Sequence, residues 1–300
     1  MLYGDTSRLG RPFAKDPAVV RFHNRYWLYH SIPPYGDGRP DDGWAIAIAQ
    51  SRDLELWTKV GEIRPAAHYE ENGLCAPGAL VMDGTLHLFY QTYGNGPRDT
   101  ICHAVSEDGY RFRRDPSNPI FAPTGDWTCG RAIDADVVVH EDQLFLYFAT
   151  RDPTMTTQML GVASAPLTSD FGRDVWVQRC DGPILKPELL WEQECIEAPA
   201  LHKRGDTLFM FYGGAYNNGP QQVGVATSAD GVTWHRLFNE PFLPNGDSGE
   251  WNACESGHPY LFVDDDGRTY LFYQGNNDLG HTWFISWREV VWSDGYPYLE

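Results

Sequence analysis

The sequence predicts an all-β fold, a five-bladed β-propeller formed by one domain over residues 1–300. Three observations carry this. A short apolar strand start is followed 13 to 15 residues later by a strand of the form Leu-aromatic-Tyr or a close variant, five times at intervals of about 60 residues: Asp16 to Tyr29, Ala76 to Tyr90, Asp134 to Phe148, Glu197 to Tyr212 and His258 to Tyr273. Aromatic residues make up 14% of the chain, with 30 Gly and 21 Pro, a composition suited to short strands and tight turns. No helical periodicity of useful length interrupts the repeat, so an α/β fold is excluded.

Each repeat continues beyond its first two strands. A third strand rich in small apolar residues reads Ala45–Ala49, Ile101–Val105, Leu160–Ala163, Val223–Ala226 and Trp283–Trp287. A turn and a fourth, aromatic-bearing strand follow at Leu56-Trp57-Thr58, Tyr110-Arg111-Phe112, Val175-Trp176-Val177 and Thr233-Trp234-His235. Ser106-Glu107-Asp108-Gly109 and Ser228-Ala229-Asp230-Gly231 supply matching turn chemistry, with Gly for positive φ and Asp to cap the turn. The fifth repeat is expected to be incomplete, because only Val290-Val291-Trp292 and Ser293–Pro297 follow its third strand. Residues 1–12 closing the ring and closure by face packing alone fit the sequence equally well.

Charge and composition limit the partners. The net charge is −18, a field that repels nucleic-acid phosphates and anionic membranes but not a neutral ligand such as a sugar. No run of 18 apolar residues occurs. Met1–Asp5 has no basic region leading into an apolar stretch, so a cytoplasmic location without a secretion signal is expected. Six cysteines without a CxxC pair are expected to be reduced and buried. Oligomeric state is not encoded legibly.

The five copies differ where a site would lie. Their equivalent first position is read as Asp16, Ala76, Asp134, Glu197 and His258, and propeller geometry gathers such positions around one end of the central channel. Three carboxylates there repel one another and lose solvation, a cost of several kcal/mol unless function or a counter-charge offsets it. Cleavage of a glycosidic bond needs such a set: a proton donor for the leaving oxygen, an ionised carboxylate to activate water or attack carbon, and a neighbour that tunes the donor. Asp136 competes with Asp134, since strict alternation puts both on one strand face.

Several stretches resemble glycoside hydrolase family 43, the five-bladed arabinosidases, xylosidases and arabinanases. They are Lys15-Asp16-Pro17-Ala18-Val19-Val20 with Tyr26–Ser31, Ser51–Trp57, Cys75-Ala76-Pro77-Gly78, Ile133-Asp134, Ile196-Glu197-Ala198-Pro199, Gly257-His258-Pro259 and Trp292–Pro297. The resemblance implies hydrolysis with inversion on arabinose- or xylose-type or related plant or microbial glycans. It implies Asp16 as general base, Asp134 as modulator of the acid's pKa, and Glu197 as general acid. It places His258 near the axis, beside a bound calcium or sodium ion or its waters; no cofactor is required. The chain departs from the family pattern with Asp-Ala in blade three, Glu-Ala-Pro in blade four, and Cys75 where Trp is frequent, which removes a sugar-stacking wall.

Other readings remain open at this point. Arg151-Asp152-Pro153 and Glu194-Cys195 mimic motifs of family 32 fructosidases but fall out of phase with the repeat. A family 130-like phosphorylase would need a basic cluster, and few clustered Arg and Lys argue against it. A carbohydrate-binding propeller without catalysis is the non-enzymatic rival. Substrate contacts are expected from Arg131, His258, Trp127, Trp44 and Tyr216, with Trp191, Trp251, Trp283 and Glu255 as further candidates; Glu70 and Glu71 are read as solvated. No zinc spacing occurs, and Asp264-Asp265-Asp266-Gly267 reads as a turn rather than a calcium loop.

Overall fold

The computed structural model describes residues 1–39 and 42–300. Five four-stranded antiparallel sheets follow one another along the chain. Blade one comprises β1 (Lys15–Phe22), β2 (Arg25–Ile32), β3 (Ala45–Ser51) and β4 (Thr58–Ile63); blade two β5 (Leu74–Met82), β6 (Thr85–Thr92), β7 (Ile101–Ser106) and β8 (Arg113–Arg114). Blade three comprises β9 (Ile133–His140), β10 (Gln143–Arg151), β11 (Gln158–Pro166) and β12 (Val177–Gln178). Blade four comprises β13 (Ile196–Arg204), β14 (Thr207–Gly214), β15 (Gln222–Ser228) and β16 (His235–Arg236). Blade five comprises β17 (Glu255–Val263), β18 (Thr269–Asn276), β19 (Phe284–Ser293) and β20 (Tyr296–Leu299). The first strands β1, β5, β9, β13 and β17 touch in sequence and close a ring, which is the propeller axis.

Blade five is complete, contrary to expectation. Val290–Trp292 continues the long third strand β19, and the chain turns at Asp294-Gly295 to return as β20. The N-terminal segment closes the ring on the stretch of β19 that β20 does not reach. Tyr3 and Ile285 exchange backbone hydrogen bonds of 2.9 and 2.8 Å, and Trp283 donates to Pro12 and receives from Ala14. Closure therefore uses main-chain pairing as well as packing, which satisfies backbone groups along an otherwise open edge.

The fourth strands begin later than the aromatic residues suggest, because the preceding residues are consumed by a turn. Ser51, Ser106 and Ser228 accept from the backbone N–H of Leu54, Gly109 and Gly231 at 3.0, 2.8 and 2.9 Å. Asp53, Asp108 and Asp230 each cap the backbone N–H groups two and three residues further on. Only after this turn is the chain extended, so Trp57, Phe112 and Trp234 are turn anchors ahead of β4, β8 and β16.

The core lies between blades. Tyr29, Phe89, Tyr147, Phe211 and Phe272 occupy the same register on the second strands and are fully buried. Two of them also staple neighbours, with the Tyr29 hydroxyl donating to Gly109 O and Tyr147 to Gly231 O, each at 2.8 Å. Glu70, read as solvated, is instead buried, accepting from Tyr90 at 2.7 Å and Arg114 at 2.8 Å. Glu192 repeats that arrangement with Tyr212 and Arg236 two blades later. All six cysteines are free.

One residue blocks the axis. Ala18, Gly78, Asp136, Ala200 and Tyr260 share a register on the innermost strands. From blade five, Tyr260 reaches across the channel and donates its hydroxyl to Ala79 O of blade two at 2.7 Å. The Tyr260→Phe variant leaves that buried carbonyl without a partner. It should lose about 1–3 kcal/mol of stability in denaturant unfolding, with an unchanged m value.

Candidate active site

The site begins with a backbone irregularity common to all blades. Asp16, Ala76, Asp134, Ala198 and His258 have φ of 53°, 46°, 54°, 50° and 43°. At each, pairing between first and second strands slips by one residue. This bulge costs on the order of 1–2 kcal/mol per non-glycine residue. It also withdraws that residue's N–H from the ladder, and in four blades a side chain near the preceding blade takes it up. Ser31 Oγ accepts from Ala76 at 2.8 Å, Gln91 from Asp134 at 2.7 Å, Gln221 from His258 at 2.9 Å and Gln274 from Asp16 at 2.9 Å.

This register corrects the sequence alignment in blade four. The residue equivalent to Asp16 is Ala198, and Glu197 stands one position earlier, in line with Lys15, Cys75, Ile133 and Gly257. The prolines mark the register: Pro17, Pro77, Pro199 and Pro259 each follow the bulged residue, where no N–H is needed. The bulge also breaks the period of two, so Asp136 does not share the environment of Asp134. It faces blade four and accepts from Leu201 N at 2.7 Å.

The carboxylates meet in a cavity of about 290 Å³ at one end of the axis. Asp16, Asp134, Glu197 and His258 line it, with Ala76 beside them. His258 Nδ1 lies 3.2 Å from Asp16 Oδ1. Glu197 receives amide donors from Gln158, from Gln221 at 2.7 Å and from Asn217 at 3.3 Å. Gln221 fits because Gly257 lacks a side chain, since a Cβ there would stand 2.0 Å from its Oε1; Gly213 lies against it more loosely, with a Cβ 3.0 Å from its Cδ.

Electrostatics separates the acids. Burial raises the Asp16 carboxyl, but His258, Lys15 and the Ser31 hydroxyl outweigh it, and the net shift is below the ordinary value. Burial holds His258 below its usual range against the pull of Asp16 and Glu197. Lys15, raised by Asp16, Glu255 and Glu197 despite burial, is the nearby cation that keeps Asp16 ionised. Asp134 behaves oppositely: burial, then the Glu197 and Asp16 charges, push it well above the carboxylate range against Arg131 and Lys15. Asp134 is therefore the carboxyl of this cavity that keeps its proton most readily.

The remaining expected contacts divide. Tyr216 and Arg131 line the cavity. Tyr216 donates to Thr156 O at 2.9 Å, and Arg131 also pairs with buried Asp99 at 3.5 Å. Trp44 stands behind Tyr93, with ring centroids 5.4 Å apart, and only Tyr93 reaches the cavity. Trp127 is not at the site; it packs in the core of blade three against Phe148 and Gly161. Glu255 lies behind Lys15, accepting from Asn218 N and Gln274, with burial raising it to about 7. Asp152 caps the backbone of Thr156 and Thr157, a structural role that fits its exclusion from the repeat.

Sequence reasoning missed Lys15, Gln158, Gln221, Asn217 and Arg151, all of which line or brace the cavity. It also found too few clustered cations: Lys15, Arg131 and Arg151 converge here. The His258 ring faces Asp16, and among the described residues no group of three His, Cys, Asp or Glu side chains gathers as a cation's ligand set.

A five-bladed propeller with opposed carboxylates at the mouth of a blocked channel is built as a glycoside hydrolase is built. The family model of glycosyl hydrolases family 43 matches residues 9–297, and the chain belongs to that family. Solved structures share the fold. An endo-1,4-beta-xylanase from Bacteroides thetaiotaomicron is 22% identical, with a TM-score of 0.72 and 96% of this chain and 94% of that one covered. A Cellvibrio cellulosa alpha-L-arabinanase, complexed with arabinohexaose, is 16% identical at a TM-score of 0.71, covering 97% and 96%. A Bombyx mori GH32 beta-fructofuranosidase reaches 0.70 at 15% identity, covering 97% of this chain but 63% of that one.

Asp136 offers a separable test of burial. Buried among apolar neighbours, it is raised to about 7. A raised acid contributes stability that is present below its unfolded pKa and lost as pH climbs through the folded value. The Asp136→Asn variant should therefore gain stability relative to wild type as pH rises from about 4 to about 7, read by denaturant unfolding at each pH.

Proposed function

We propose that this chain hydrolyses terminal L-arabinofuranosyl, xylosyl or related glycosidic linkages with inversion at the anomeric carbon. Asp16, ionised, takes a proton from water as the water oxygen attacks that carbon. Glu197 delivers a proton to the departing glycosidic oxygen as the carbon–oxygen bond breaks. Asp134 keeps a proton available to Glu197, and the Gln158, Gln221 and Asn217 amides fix the Glu197 carboxyl in place. His258 orients Asp16.

The observation that carries this reading is the meeting of Asp16, Asp134 and Glu197 in one cavity, with Asp16 held below and Asp134 pushed above the ordinary carboxylate range. An ionised base across the cavity from a raised carboxyl beside the proton donor is what a single-step displacement by water requires. The cavity volume, about 290 Å³, lies at the lower edge of ordinary ligand sites, and Tyr260 closes the channel beneath it. Both favour a terminal sugar over a threaded chain. The xylanase and arabinanase of the same fold support pentose-type substrates.

Turnover of a panel of aryl arabinofuranosides and xylosides should fall by about 10²–10⁴ in Asp16→Asn and in Glu197→Gln. Wild-type kcat/KM should drop on the acid side as Asp16 is protonated, below the ordinary carboxylate range, and on the alkaline side as Asp134, raised by burial and its acidic neighbours, loses its proton. In Asp134→Asn the alkaline limb should move. Proton NMR of the first-formed anomer should show inversion; retention, or turnover surviving both carboxylate substitutions, rejects the mechanism.

A further inference from the structure

We propose that the sugar beside the cleaved bond carries a carboxylate, and that Arg131 and Arg151 of blade three form its seat, which makes acidic glycans containing uronic acid the preferred substrates. The inference rests on the catalytic reading of the same cavity and narrows its substrate class.

The blade register isolates this pair. Ile133 pairs with Ala149, so two positions nearer the cavity mouth Arg131 stands opposite Arg151, and Cys129 N donates to Arg151 O at 2.9 Å. The positions equivalent to Arg131 in the other blades hold Phe13, Gly73, Cys195 and Glu255, and those equivalent to Arg151 hold Pro33, Tyr93, Ala215 and Asn276. Nothing in the fold requires arginine at either place. One blade alone carries both.

Arg151 is held ready rather than consumed. Its Nε donates to Gln158 Oε1 at 2.9 Å and its guanidinium lies 5.0 Å from the Tyr216 ring centre. Among the described residues it has no carboxylate partner and its two terminal nitrogens make no hydrogen bond. Gln158 in turn donates to Glu197, so the guanidinium sits one side chain from the acid that acts on the leaving oxygen. Arg131 is partly committed to Asp99 at 3.5 Å, yet its Nε is buried without a hydrogen-bond partner. Lys15 lies across the cavity, with Asp16 and Glu197 as its charged neighbours there.

The charge distribution points the same way. Lys15, Arg131 and Arg151 line the cavity with Asp16, Asp134 and Glu197, and since Asp99 answers Arg131 while Asp16, Glu255 and Glu197 answer Lys15, Arg151 is the cation there without a carboxylate partner among the described residues, inside a protein of net charge −18. That outer field is screened over about 10 Å at 0.1 M salt, so the local set decides what enters. A neutral pentose would leave Arg151 without an anionic partner and the buried Arg131 Nε without an acceptor. A planar carboxylate matches the donor fork of arginine.

Calorimetric titration with galacturonate and glucuronate, against galactose, xylose and arabinose, reads the seat directly. Wild type should bind the acidic sugars at least about tenfold more tightly, the worth of one charge-assisted contact, and added salt should weaken that preference. The Arg151→Gln variant should lose the preference and Arg151→Lys should keep part of it; Arg151 is chosen because Arg131 also braces Asp99. Oligosaccharides with and without a uronic acid at the scissile bond should show the same ordering in kcat/KM. Equal affinity for both classes, or a preference indifferent to Arg151→Gln, overturns the proposal even if neutral glycosides are cleaved. Sugar 1-phosphate formed on adding inorganic phosphate makes free phosphate the occupant and likewise overturns it. Acidic sugars that bind with preference while no glycoside is cleaved leave the seat standing and sink the hydrolytic mechanism instead.

Discussion

The one-residue slip near the start of every inner strand is the constraint on which this structure depends. A left-handed residue at that point removes one N–H from each blade's ladder at the level where the five blades converge. A buried donor without a partner is costly, so Ser31, Gln91, Gln221 and Gln274 are drawn in to accept it. These bonds join blades to one another around the axis. They also set the angle at which Asp16, Asp134 and His258 enter the cavity. Fold closure and site geometry are thus consequences of the same backbone feature.

Electrostatics completes what the backbone begins. Carboxyls so close cannot all be ionised, and the protein resolves the conflict by giving each a different neighbour. Asp16 has Lys15 and His258, whereas Asp134 has mainly burial and two other acids. Gln221 links the two halves, because its oxygen holds the His258 backbone while its nitrogen holds Glu197. Its place depends on Gly257, a position where any Cβ would intrude on it. Glycine acts here by leaving space next to a functional side chain.

Legibility differed from residue to residue for identifiable reasons. Asp16 and Asp134 were readable because each opens an apolar strand at a constant offset from a buried aromatic. Glu197 was found but misaligned, since the acid was taken as the marker of register when the following proline marks it. Gln158 and Gln221 were missed because they stand outside the inner strands, and amide side chains carry no distinctive spacing. Arg151 was set aside with Asp152 because its motif was out of phase; the phase argument holds for Asp152, which caps a turn, and fails for Arg151, which lines the cavity. Trp127 was overvalued, since an indole that fills a blade core reads the same as one that faces a sugar.

By itself the sequence determined the five-fold strand repeat, the all-β class, the serine–aspartate turns and the carboxylates offered to the axis. These depend on local periodicity and on short-range capping, which neighbouring residues specify. Only the tertiary structure decided the completion of blade five by β20, the edge closure by Tyr3 and Pro12, and the plugging of the channel by Tyr260. It alone decided the opposite shifts of Asp16 and Asp134 and the convergence of Lys15, Arg131 and Arg151. The physical reason is that burial, Coulomb energy and steric room depend on distances between blades, and a linear repeat does not contain those distances.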